Sequence, residues 1–339
     1  MFTKKGGMNM YGTGTKKMLI ILILEILKKY SDENHRLTQQ DIVRLLDSEY
    51  GMKCDRRSVR NNILSLLELG YEINMDKGYY LVEREFDDTE LRVLIDSVLF
   101  SQMLTGNQAK ILINKLQAMG NKYFESSVSH NVAVTYIKRT ENKQVMYSIS
   151  AINNAIEMNR KISFKYNDYG LDYKLHPRDK DYIVNPYQLV FSNGIYYLLG
   201  NYDKYDNISY YRIDKISDVE ICNEEAKPMK QVEGLEDGFN LSKHMKEHAY
   251  MFSGTTISVK VKCDTKSFDT LIDWFGKDIR IVEKHEDSEQ LIVRVKSNEN
   301  AMLYWALQYG ANAEVIEPYN LRVRIKNSLN DMLSKYEAS

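Results

Sequence analysis

Residues 184–191 and 195–199 are two apolar-rich runs separated by Ser192-Asn193-Gly194. Asn-Gly favours the positive-φ positions of a tight hairpin turn, so the two runs must fold back on each other as antiparallel strands. The next strand-like run is Tyr210-Tyr211-Arg212-Ile213-Asp214-Lys215, about a dozen residues after Tyr196-Tyr197-Leu198. Period-two alternation places Tyr210, Arg212 and Asp214 on one face and Tyr211, Ile213 and Lys215 on the other. A guanidinium and phenols held on strands suit anions and stacked rings. The same residues also suit an ordinary tyrosine-rich hairpin core, with Asp214 as the partner of Arg212.

The flanks extend this picture. Residues 147–159 carry Ile149, Ile152, Ala155 and Ile156 at helical spacing. Residues 161–166 read as a strand and 167–170 as a turn, with further strand segments at 173–178 and 182–191. A helix followed by short antiparallel strands predicts a small, strongly bent sheet of Sm-like or SH3-like β-barrel type over residues 144–225.

The first eighty residues have a different rhythm. After an arm at 1–15, residues 16–29 form an apolar helix. Thr38 with Asp41 three residues on predicts a capped second helix, with Leu37 as its staple. Asp55 caps a third, in which Val59, Ile63, Leu66 and Leu67 give the core spacing. Gly70 ends it, and two short strands follow around Asp76-Lys77-Gly78. Three helices and a hairpin is the order of a winged helix-turn-helix domain, here 16–85. The third helix opens with Arg56, Arg57, Ser58, Arg60 and Asn61. In that fold this end enters the DNA major groove. Together with Thr38 and Gln39 at the second helix start and Lys77 on the wing, these are the candidate DNA-binding residues.

Residues 147–222 resemble the WYL domain of bacterial transcription regulators, through Tyr166, Pro186, Tyr197, Leu198, Arg212, Asp214 and Ile216. Tyr196 stands where the family has Trp, and Lys215 where a second Arg is usual. Lysine keeps the charge and loses the bidentate fork. The stretch LTQQDIVRLL with DRRSVRNNILSLLELGYEI is similar to the DNA-binding half of the same regulators. The resemblance implies a sensor domain for nucleotide or nucleic-acid ligands. Its implied ligand-binding set is Tyr166, His176, Tyr197, Arg212 and Lys215, since cations hold phosphate and phenols stack on bases.

Residues 86–143 read as a helical linker broken at Gly106 and Asn107. Residues 226–255 read as a connector with a short helix at 241–250. Residues 256–339 follow the order βαββαβ and then a last helix, which predicts a ferredoxin-like domain. This tail resembles the C-terminal extension often attached to WYL domains. The expected fold class is therefore α+β.

Composition excludes several alternatives. Three cysteines lie far apart and six histidines form no ligating pair, so neither a disulfide framework nor a metal site is expected. Residues 18–27 are too short to span a bilayer and contain Glu25. With no secretory pattern after Met1, a cytoplasmic protein without membrane partners is expected. Net charge is −1 overall, whereas residues 1–80 hold 13 Lys and Arg against 10 Asp and Glu. No nucleophile–base pair or Gly-rich phosphate loop appears, so an enzyme is not expected, nor any cofactor. The expected function is a homodimeric, ligand-responsive regulator that binds a double-stranded DNA operator. The alternative is an accessory protein that binds single-stranded nucleic acid through the WYL-like sheet.

Overall fold

Local signals place the elements, and packing of their apolar faces assembles them. The structure is a computed structural model that describes residues 15–124, 139–233, 235, 236, 238, 240, 252, 254–284 and 289–337. Residues 1–14 of the expected arm and the helix expected at 241–250 lie outside the described residues. Residues up to Arg139 form one compact unit and those from Thr140 onward a second.

In the first unit a 3-10 turn at Thr15–Met18 leads into α1, Leu19–Tyr30. Helix α2 spans Gln39–Tyr50 and α3 spans Arg56–Glu68. Strands β1 (Ile73–Asn74) and β2 (Tyr80–Leu81) pair antiparallel. Ile23, Ile26, Leu27, Ile42, Leu46, Val59, Ile63 and Leu66 form the core between the three helices. Their i, i+3, i+4 spacing gives each helix one apolar stripe.

The caps follow the sequence. Thr38 Oγ accepts from the Asp41 amide at 3.2 Å, and the Asp41 carboxylate accepts from the Thr38 amide at 3.0 Å. Asp55 accepts from the Ser58 amide at 2.7 Å. Replacing Thr38 by Ala is expected to destabilise this unit by about 1 kcal/mol, as for other lost N-caps. Urea titration would show it as a lower midpoint with an unchanged slope.

Leu37 does more than staple the helix. Its amide donates to the Tyr79 carbonyl at 2.9 Å and its carbonyl accepts from the Tyr79 amide at 2.7 Å. The segment ahead of α2 therefore pairs with the hairpin. Gly78 makes this approach possible: its φ is 128°, and a Cβ there would lie 2.9 Å from the Arg36 Cβ.

The helices expected as a linker belong to this same unit. Helix α4 spans Asp88–Leu99 and α5 spans Gly106–Gln117. Leu91, Ile95, Leu99, Ile113 and Phe124 form their own small core. The break falls earlier than expected, at residues 100–105. Thr105 caps α5 in a box with Gln108, so Gly106 and Asn107 sit in its first turn.

The second unit begins with α6, Val145–Glu157. It packs on a five-stranded antiparallel sheet of β3 (Arg160–Tyr169), β4 (Leu175–Ser192), β5 (Ile195–Asn201), β6 (Ser209–Arg212) and β7 (Ile216–Glu225). The strand order is β6-β5-β4-β3-β7. The expected turn at 167–170 is displaced to 170–174, because β3 runs on to Tyr169. The two segments expected at 173–178 and 182–191 are one strand, β4.

The expected Sm/SH3-like β-barrel is corrected: among the described residues no barrel closes. Strand β4 pairs with β3 through its first half and with β5 through its second, so the sheet curls. Tyr211 on β6 thereby reaches the rings of Phe164 and Tyr166 on β3, at 5.2 and 5.8 Å. The edges β6 and β7 do not pair, because a 3-10 turn at Ile213–Lys215 lies between them. Backbone in a 3-10 turn directs its hydrogen bonds to i+3 and cannot extend a ladder.

The tail keeps the element order read from the sequence. It runs β8 (Thr256–Asp264), α7 (Phe268–Phe275), β9 (Arg280–Lys284), β10 (Gln290–Asn298), α8 (Glu299–Tyr309), β11 (Ala313–Glu317) and α9 (Tyr319–Glu337). The sheet is antiparallel in the order β11-β8-β10-β9. Val259, Val261, Val293, Met302 and Trp305 fill the space beneath it. No helix among the described residues is long and apolar enough to cross a membrane.

Candidate functional site

Two surfaces gather the residues singled out by the sequence. The first lies on the N-terminal unit. Arg56, Arg57, Arg60 and Asn61 are exposed at the start of α3. Arg56 Nε donates to Gln40 Oε1 at 2.7 Å, which braces it from α2. Arg57, Arg60 and Asn61 make no side-chain hydrogen bond among the described residues. Ser58 is turned inward, its hydroxyl donating to Asp55 at 3.2 Å. Thr38 is likewise committed to its cap. Gln39 Nε2 donates to Tyr79 Oη at 2.8 Å. Lys77 is exposed at the hairpin tip, at φ 56°. A groove of about 350 Å³ runs between these elements, lined by Thr38, Gln39, Gln40, Arg56, Met75, Gly78 and Tyr79. It brings the Arg56 guanidinium of α3 and the Gln39 and Gln40 amides of α2 beside Tyr79 of the hairpin.

The second surface is on the curled sheet. Strand β6 ends at Arg212, so Asp214 belongs to the 3-10 turn that follows and not to the strand itself. Arg212 Nε and Nη2 donate to the two Asp214 oxygens at 3.1 and 2.8 Å. The Asp214 side chain is only 8% exposed. Asn142 donates to the backbone carbonyls of Asp214 and Ile216, at 3.1 and 2.7 Å, and braces the turn. The Arg212 amide donates to Tyr166 Oη at 3.3 Å. Tyr197 is half-buried and lies directly across from Arg212 in the ladder. Tyr166, Tyr197 and Arg212 are thus brought together, with Arg212 held by an internal carboxylate.

Lys215 joins a different group. Its Nζ donates to Asp168 Oδ1 at 3.2 Å. Arg178 grips the same carboxylate, Nε to Oδ2 at 2.7 Å and Nη2 to Oδ1 at 3.3 Å. Arg178 also donates to Tyr182 Oη at 3.0 Å and lies 5.0 Å from the Tyr166 ring centre. Lys180 stands 5.0 and 4.3 Å from the ring centres of Tyr182 and Tyr202. His176 is the cross-strand neighbour of Asp168, but its Nε2 is engaged by Asp172 at 2.9 Å.

The electrostatics follow from exposure. The Arg178 guanidinium beside Asp168 holds its carboxyl below the usual carboxylate range, so it is ionised near neutral pH. Burial pushes the Tyr166 and Tyr197 phenols up, and Tyr211 up to about 12. These phenols are neutral and offer rings and hydroxyls, not phenolate charge.

Sequence reasoning missed Arg178, Lys180, Tyr182 and Asp168. The signal was present: Arg178, Lys180 and Tyr182 alternate, so one face of β4 carries two cations and a ring.

Two family models match the chain, the WYL domain over residues 148–221 and the WCX domain over residues 255–333. No curated protein matches. Among solved structures, proteasome accessory factor B/C (PafBC) of Arthrobacter aurescens is 13% identical, with a TM-score of 0.28. That alignment covers 94% of this chain and 48% of the PafBC chain, so this chain spans about half its length. A CRISPR Cas-related protein is 15% identical over 99% of this chain and 88% of its own, with a TM-score of 0.38. The cation-and-tyrosine sheet lies inside the first match and the βαββαβ tail inside the second, so the chain carries a segment matching the WYL domain followed by one matching the WCX domain.

Proposed function

We propose that this protein is a ligand-responsive transcription regulator that binds double-stranded DNA as a homodimer, and that it is not an enzyme. The observation that carries the reading is the exposed Arg56, Arg57, Arg60 and Asn61 group at the positive end of a capped helix, with a hairpin behind it. Backbone amides at that end favour anions, and arginine and asparagine there suit phosphates and base edges. We read the first three helices and hairpin as a winged helix-turn-helix, the WYL sheet as an open relative of Sm-like barrels, and the tail as ferredoxin-like. One reading helix per chain makes a small interface, so two chains on an inverted repeat fit operator recognition.

The WYL domain is proposed as the sensor of an anionic nucleotide or nucleic-acid effector. Support comes from cations interleaved with tyrosine rings on β4 and the 3-10 turn. A ligand that binds one arrangement of the chain better than another shifts the population and hence operator affinity. The working compartment is the bacterial cytoplasm.

The test is selection of bound fragments from a random duplex pool with the full chain, followed by sequencing. Enrichment of an inverted repeat is expected. Tighter binding to single strands than to any duplex would overturn the reading in favour of a single-strand-binding accessory protein.

A further inference from the structure

We propose that Asp168 is a built-in competitor: its carboxylate fills the seat that Arg178 and Lys215 offer to phosphate, and a nucleotide or oligonucleotide phosphate binds by displacing it. The inference rests on the sensor reading above and assigns the seat, its occupant at rest and the chemistry that replaces it.

The geometry carries the argument. Arg178 comes from β4, Lys215 from the 3-10 turn and Asp168 from β3, and the two cations converge on one carboxylate. The bidentate grip of Arg178, at 2.7 and 3.3 Å, is the one a guanidinium uses on phosphate. Two cations on a single carboxylate leave positive charge in excess, which a phosphate with more charge and more acceptor oxygens neutralises better.

Exposure separates this pair from its neighbour. The Asp168 side chain is 47% exposed and Arg178 46%, whereas the Asp214 carboxylate under Arg212 is 8% exposed. A solvent-facing ion pair is weak and opens readily; a buried one does not. Rings border the seat: Tyr166 lies beneath the Arg178 guanidinium, and Tyr182 takes its remaining hydrogen bond. Phosphate beside an aromatic platform is the chemistry of a nucleotide, not of a bare anion.

The test compares the full wild-type chain with Asp168→Asn. The probes are adenosine 5′-monophosphate, read by calorimetry, and a labelled single-stranded hexadeoxynucleotide, read by anisotropy. Asparagine keeps the size and removes the competing charge, so about tenfold tighter binding is expected for whichever probe the wild type binds. Adding Arg178→Ala should abolish that gain, while Asp168→Asn alone leaves the melting temperature unchanged. The better-bound probe identifies the source of the phosphate. Wild-type binding that Asp168→Asn leaves equal or weaker overturns the competitor and leaves the sensor reading standing. Failure of both proteins to bind either probe overturns the sensor reading, and the competitor with it.

Discussion

Arg56→Ala combined with Arg60→Ala is expected to weaken operator binding by about one to three decades at moderate salt. Both side chains are exposed at the start of α3. Each phosphate contact removed releases about one fewer counterion, so the slope of log affinity against log salt should flatten by about 1.8. Folding should be nearly unaffected. The Arg56–Gln40 hydrogen bond is on the surface, and neither arginine enters the core formed by Val59, Ile63 and Leu66. The loss should also be larger at low salt than at high salt, as for any electrostatic contact. Mobility-shift titrations at several salt concentrations decide the matter. Unchanged affinity with unchanged slope would remove α3 from the DNA interface.

Arg212→Ala is expected to lower the melting temperature of the second unit by roughly 5–15 °C, equivalent to about 2–4 kcal/mol. The sequence allowed two roles for this arginine, effector contact or brace, and the geometry favours the brace. Asp214 is nearly buried and receives two guanidinium hydrogen bonds. Removing Arg212 strands that carboxylate in a poorly solvated pocket with its main partners gone. The double variant Arg212→Ala with Asp214→Ala should therefore be more stable than Arg212→Ala alone, because the unpaired charge goes as well. Arg212→Ala that melts like wild type, with weakened effector binding, would return the arginine to a direct contact role. Calorimetry on the three variants separates the outcomes.

Much of the fold was legible because its signals are local. Asn193 and Gly194 take φ 50° and 78°, as the Ser-Asn-Gly run requires of a tight hairpin. Thr38 and Asp55 cap the helices they precede. Each rests on residues within one turn or one strand crossing, where spacing alone sets the geometry. The basic face of α3 was legible for the same reason, since residues 56–61 are neighbours on one helical surface.

The cation-and-tyrosine sheet was only partly legible. Alternation predicts which side chains share a strand face, but it fails where the backbone leaves the strand. At Ile213 the chain enters a 3-10 turn, which puts Asp214 under Arg212 and leaves β6 and β7 unpaired. The partner of Lys215 is Asp168, 47 residues away, and the partner of Arg178 is the same carboxylate. Which cation meets which carboxylate depends on the register of β3 against β4 and on the curl that β4 imposes. By itself the sequence determined the capped helices, the hairpins, the order of elements and the arginine-bearing face. Only the tertiary structure decided that the sheet stays open, that Arg212 is held internally and that Arg178 shares its carboxylate with Lys215. The reason is physical: caps and turns are settled by bonds a few residues long, whereas ion pairs between strands are settled by packing, which no local spacing encodes.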